Sequence, residues 1–149
     1  MFWRVLTGLL LALPLVAAWA AGITVSDARV TEAPPGTPVA GGFLTLRNDG
    51  AEKAVLTGAV AHGFERVEIH RSERQGDRVT MRHVESVEIA AGSTLAFAPG
   101  SWHLMLFGEP PLPRAGEMVK ITLHFADGGS VNVEAPVVRP GSGHAHHAH

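Results

Sequence analysis

The stretch Met118-Val119-Lys120-Ile121-Thr122-Leu123-His124-Phe125, followed by Ala126-Asp127-Gly128-Gly129 and the run Val131 to Val138, decides the fold. Val119, Ile121, Leu123 and Phe125 alternate with Lys120, Thr122 and His124. A period of two places the apolar set on one face of an extended strand and the polar set on the other. Asp127-Gly128-Gly129 is turn chemistry, so the segment reads as a β-hairpin with one face toward a core.

Moving outward, the same texture recurs. Trp102 to Phe107 precedes a loop rich in proline at Pro110, Pro111 and Pro113. Thr94 to Phe97 stops at Pro99-Gly100, and Val87-Glu88-Ile89 runs to Gly92. Val67 and Ile69 alternate with Glu68 and His70, and Gln75-Gly76-Asp77 turns the chain into Val79 to Val84. Phe43 to Leu46 ends at Asn48-Asp49-Gly50, and the first run, from Ile23, breaks at Pro34-Pro35-Gly36. The chain shows no 3.6-residue period and no internal repeat. About eight to ten short strands at close spacing predict an all-β domain, an antiparallel β-sandwich or barrel.

Composition narrows the function. The chain has 149 residues, enough for one domain with its own core. The net charge is only -2, and no Lys/Arg cluster marks a nucleic-acid or anionic membrane surface. Cysteine is absent. That excludes disulfides, zinc–thiolate knuckles, a redox CxxC pair and blue copper, whose site needs a thiolate. The 9 histidines raise the prospect of metal binding.

Three segments are expected. Residues 1–20 read as a cleaved secretory signal. Arg4 supplies the positive start, Val5 to Ala17 the apolar run, and Ala18-Trp19-Ala20 the small-x-small cleavage site. The run is short for a membrane span, and no cysteine follows for lipidation. Residues 21–139 form the binding domain, and residues 140–149 a flexible tail beginning with Gly141-Ser142-Gly143. The mature protein is expected to be exported.

The candidate site comprises His70, Met81, His103 and Met105. Two imidazoles and two thioethers make a soft, uncharged set that favours Cu(I) over hard cations. His103 and Met105 are two apart on one strand and share a face, while Trp102, Leu104 and Leu106 share the other. The larger apolar set is expected to face the core, leaving His103 and Met105 on the outer face or rim. The turn between His70 and Met81 brings those two to one edge, and the site closes only if Trp102–Phe107 lies beside that hairpin.

The spacing H-x10-M-x21-H-x-M resembles the signature of periplasmic PCu(A)C-type copper chaperones, matched at all four positions. Val67-Glu68-Ile69-His70, Trp102-His103-Leu104-Met105-Leu106 and Gly41-Gly42-Phe43-Leu44-Thr45-Leu46 also resemble that family, over Ile23 to Val138. The resemblance implies a cupredoxin-like β-sandwich in a single domain and an exposed Cu(I) site. It also implies delivery of copper to the CuA centre of cytochrome c oxidase, alongside Sco-type proteins. Many members carry Met or an acidic residue just after the first histidine. Here Arg71 and Ser72 follow, and Arg71 is expected to place a positive charge near the site.

Other residues rank lower. His144, His146, His147 and His149 in the tail suggest a second site, for Cu(II), since imidazole suits Cu(II), Zn(II) and Ni(II) alike. His83 shares a face with Met81, His62 precedes Gly63 in a loop, and His124 sits on a polar strand face. Met118 is expected to pack at a strand end, Trp102 to join the core, and Glu73-Arg74 to be an ordinary hairpin face.

No enzyme reading finds support: there is no Cys nucleophile, GxSxG elbow, HExxH or Gly-rich phosphate loop. The expected protein is therefore a non-enzymatic copper carrier, a monomer with a copper-bridged dimer as the variant. The alternative is a periplasmic buffer for Cu(II), Zn(II) or Ni(II) built on the tail and lacking a dedicated transfer partner. A plain β-sandwich interaction domain is the third class.

Overall fold

The computed structural model describes residues 22–142. Within them the alternating runs form ten strands: β1 (Ile23–Thr31), β2 (Val39–Asn48), β3 (Ala54–Ala61), β4 (Arg66–Gln75), β5 (Arg78–Val84), β6 (Val87–Ile89), β7 (Thr94–Phe97), β8 (Trp102–Phe107), β9 (Met118–Phe125) and β10 (Ser130–Val138). The signal segment and the four tail histidines lie outside the described residues.

The hydrogen-bonded order is β5-β4-β8-β7-β2-β1-β10-β9-β3-β6, with β8 also paired to β2. The sequence folds into two facing layers. One holds β5, β4, β8, β7, β2 and β1, and the other holds β10, β9, β3 and β6. They meet where β1 runs parallel to β10, at Val30 opposite Val137 and Thr31 opposite Val138. A second short parallel contact joins β7 and β8, and the remaining pairings are antiparallel. The all-β sandwich expected from the spacing is the observed fold.

The core lies between the layers. Val30, Leu44, Leu46, Ile69, Leu104 and Leu106 are buried from one side, and Leu56, Val119, Ile121, Leu123, Phe125 and Val137 from the other. Each is the inward member of its strand's alternation, and burying such aliphatic side chains contributes about 1.5–3 kcal/mol apiece. The buried Asn48 is fully satisfied: its Nδ2 donates to the carbonyls of Glu52 and Ile89, and its Oδ1 accepts from Gly50 N–H. It ties the end of β2 to β6 in the facing layer.

Two glycines are required by geometry. Gly76, at φ +60, turns β4 back into β5. Gly42 faces the core, where a Cβ would stand 2.9 Å from Leu106 Cδ1 and 3.2 Å from Leu104 Cβ. That close approach lets β2 lie against β8, the strand carrying His103 and Met105.

Two expectations change. Ala54–Ala61 is a strand, although its small residues and Gly58 hide the pattern, and its pairing with β9 shifts register between Leu56 and Gly58. Met118 is exposed at the start of β9 and does not pack.

Candidate metal centre

Three adjacent strands build the site. β4 pairs with β5 on one side and with β8 on the other. Strand β8 therefore does lie beside the hairpin that carries His70 and Met81. In register, His70 stands opposite His103, Glu68 opposite Met105, and Ser72 opposite Met81. Directly paired residues project from the same side of a sheet. All four candidate ligands thus emerge on the outer face of this layer, away from Ile69, Leu104 and Leu106.

The two imidazoles are adjacent, with ring centroids 5.8 Å apart and planes inclined by 34°. Each has one nitrogen engaged and one free. His70 Nε2 lies 2.8 Å from Glu68 Oε2. A carboxylate only accepts, so Nε2 carries the proton and Nδ1 keeps its lone pair. His103 Nδ1 lies 3.1 Å from the Ser101 carbonyl, which fixes that proton on Nδ1 and leaves the Nε2 lone pair free. His70 Nδ1 and His103 Nε2 are both buried and have no hydrogen-bond partner. Buried polar atoms without partners are rare and call for an explanation, one of which is a bound ion.

An imidazole whose N–H is held by a carboxylate or a backbone carbonyl is the usual arrangement of a metal-binding histidine. The residues present therefore fit a soft monovalent ion: two oriented imidazole lone pairs, with thioethers in the neighbouring register positions. Gly41, opposite Met105 on β2, contributes no side chain at that position. Met81, on the edge strand β5, is 62% exposed. Among the described residues, no three His, Asp or Glu side chains converge as in a hard-metal cage.

The electrostatics follow from burial and pairing. His103 is 6% exposed, and its desolvation pushes its pKa below the ordinary imidazole value, against the Ser101 carbonyl bond that acts to raise it; the neighbouring His70 lowers it further. Glu68 is held below the usual carboxylate range, first by its bond to His70 and then by Arg66. The structure thus keeps the His103 imidazole neutral and sets an anionic carboxylate behind His70.

Two positions, His103 and Arg71, differ from expectation, and the others match it. His103 has the predicted outward direction but is buried there, with His70 of β4 beside it in register. The guanidinium of Arg71 lies over the Trp102 ring, 5.1 Å from its centroid, on the opposite face of β4 from His70. Its charge is directed away from the site. Trp102 stacks on Phe97 and packs against the core margin. Glu73 bonds Arg82 across the hairpin, and His62 and His124 are exposed and remote in register. His83 stands opposite His70 and stacks on it at 5.5 Å.

Sequence reasoning missed the role of Glu68. The signal was present in Glu68-Ile69-His70, since a spacing of two puts carboxylate and imidazole side by side on one strand face.

The comparisons bear on the family and the fold. Residues 23–137 match the LpqE-like family model, described as "Putative lipoprotein LpqE-like". Over 117 residues the chain is 35% identical to "Putative lipoprotein Lxx21020" of Leifsonia xyli subsp. xyli (strain CTCB07), spanning 78% of this chain and 69% of that protein. The structure described as "Copper-bound PCuAC domain from PmoF2" superposes with a TM-score of 0.69 at 20% identity, covering 80% of this chain and 95% of that one. The solution structure of CuI-DR1885 from Deinococcus radiodurans superposes with a TM-score of 0.62 at 29% identity, covering 79% and 80%. The chain belongs to the LpqE-like family, which is the PCu(A)C family, and it has that family's cupredoxin-like β-sandwich fold.

Proposed function

We propose that this protein is an exported copper carrier. Its domain, residues 21–139, binds one Cu(I) through His70, Met81, His103 and Met105 and passes it to an acceptor, the CuA centre of cytochrome c oxidase. The observation that carries the reading is the pair of buried, unpartnered nitrogens, His70 Nδ1 and His103 Nε2, on adjacent rings in register, with two thioethers in neighbouring register. Two similar structures are described as copper-bound, and one of them as the Cu(I) form. The lipoprotein name of the Leifsonia relative supports export.

The chemistry suits carriage. Neutral imidazoles and thioethers leave the ion a monocation, and the Glu68 carboxylate lies close behind His70 to offset that charge. Glu68 orients His70 and is not a ligand. Met81 is the outermost donor, on an edge strand and largely exposed. An acceptor ligand displaces Met81 first, then Met105, and the oriented imidazoles release last. Each step keeps copper coordinated through an intermediate that shares ligands from both proteins.

Mixing the Cu(I)-loaded protein with an apo CuA domain tests the transfer. Loss of copper from the donor and its recovery with the acceptor after separation are expected, and the CuA absorption should appear once a mild oxidant removes one electron from the two Cu(I) delivered. Copper retained by the donor at equilibrium would contradict delivery. The four tail histidines favour a second reading, a buffer for Cu(II), Zn(II) or Ni(II). Removing residues 140–149 separates the two readings. A carrier keeps one tightly held Cu(I), whereas a buffer loses most of its metal.

A further inference from the structure

We propose that His83 provides a second, nitrogen-rich coordination set at the same place, which holds Cu(II). The proposal rests on the reading of His70 and His103 as copper ligands and extends it to the other oxidation state.

His83, His70 and His103 form a row across β5, β4 and β8, since His70 is in register with both of the others. The centroid separations along the row are 5.5 Å and 5.8 Å. Two imidazoles sharing one ion, with metal–nitrogen bonds of about 2.0 Å, have centroids roughly 5–6 Å apart. Each neighbouring pair therefore stands at a spacing that fits a shared ion, while His83 and His103, at the two ends of the row, come to one ion only when the His83 ring turns inward over His70. The orientation of one ring does not fit: His83 lies against His70 with planes 26° apart, and the three nitrogens do not yet converge. His83 is exposed, so turning its ring between staggered torsions gives up only its stacking on His70.

Met81 and His83 are two apart on β5 and project from the same face of the same edge strand. The strand thus offers a thioether and an imidazole from one side of the central histidine pair. Cu(I) prefers the soft sulfur, whereas Cu(II) prefers nitrogen and oxygen in tetragonal geometry. The central pair stays in place, held by Glu68 and the Ser101 carbonyl, and the outer donor changes with the ion supplied. No electron transfer is involved: each ion is bound in the state in which it arrives. The set is His70, His103 and His83, with solvent completing the Cu(II) coordination.

The test uses the full chain after Ala20, with His144, His146, His147 and His149 all changed to alanine so that the tail takes no Cu(II). The probes are Cu(II) with glycine as competitor and, separately, Cu(I) with a chelator under reducing conditions. The His83→Ala variant should lose one coordinated nitrogen in the Cu(II) paramagnetic resonance spectrum. Loss of an outer-sphere partner already costs 10–100-fold, so loss of this ligand should weaken Cu(II) by at least about tenfold. Its Cu(I) affinity should stay within roughly twofold of the parent, a change below about 0.4 kcal/mol. An unchanged nitrogen count and Cu(II) affinity would overturn the proposal while leaving the Cu(I) site intact. Equal losses of Cu(I) and Cu(II) would overturn the division of labour between Met81 and His83. A parent that binds neither ion would overturn the copper reading itself.

Discussion

Strands β9 and β8 both alternate in sequence, yet only β9 alternates in burial. In β9 the inward Val119, Ile121, Leu123 and Phe125 are buried, while Met118, Lys120 and His124 remain exposed. In β8 the inward Leu104 and Leu106 are buried, but the outward His103 is buried too, and Met105 and Phe107 are half-covered. The cover comes from the neighbouring strands: His70 and Glu68 stand beside His103 and Met105, and the Arg66 guanidinium lies 4.0 Å from the Phe107 ring centroid. A polar ring buried with a free lone pair destabilises the apo fold unless something satisfies it. β9 carries no such burden and serves only the core. The departure from simple alternation falls on the strand that carries two of the proposed ligands.

The contrast can be broken first at its structural side. Leu123→Ala removes a fully buried side chain from β9 and should cost roughly 2–5 kcal/mol of stability, read by chemical denaturation. Molecules that remain folded should bind Cu(I) with parental affinity, because Leu123 touches the core and not the outer face. A parallel loss of intrinsic affinity would mean that core and site are not separable.

Glu68→Gln probes the functional side. The amide preserves shape but removes the charge and weakens the hold on the His70 N–H. Cu(I) affinity should fall about 10–100-fold, as for other carboxylates that orient a metal-binding histidine. Folding stability should fall by only about 1 kcal/mol, because the amide oxygen still accepts from His70 while the charge that pairs with Arg66 is lost. Chelator competition and denaturation together read both numbers, and an unchanged affinity would remove Glu68 from the account.

The smallest effect is with pH. His103 has a lowered pKa in the fold, so at acid pH the unfolded chain binds more protons than the folded one. Stability from the neutral ring is complete above the unfolded value of about 6.5 and declines as pH falls through the lowered folded value. The apo protein should therefore lose stability on acidification below about 6.5, and His103→Gln should flatten that part of the profile. Saturating Cu(I) should shift the loss to lower pH, because the metal and the proton compete for the same lone pair.

Much of the fold was legible because alternation and turn residues are local. Val119 to Phe125 and Asp127-Gly128-Gly129 announce their hairpin without reference to the rest of the chain. β3 was not legible, since Ala54, Gly58, Ala59 and Ala61 are small enough to blur the pattern and Gly58 adjoins a register shift. The site divides in the same way. That His103 and Met105 share a face is local, and so is the pairing of Glu68 with His70. Alternation also sends Arg71 to the face opposite His70, where its guanidinium lies over Trp102. The register of His70 against His103 is long-range and comes only with the assembled sheet. The burial of His103 is equally non-local, because its cover belongs to strands far away in sequence.

The most direct test of the central claim is Cu(I) binding against a competing chelator, comparing the parent with the Met81→Ala, Met105→Ala double variant. Met81 is 62% exposed and Met105 half-covered, so the variant should fold. One tightly held equivalent in the parent, lost in the variant, is the predicted result. Equal affinity in both proteins would contradict the thioether–imidazole site.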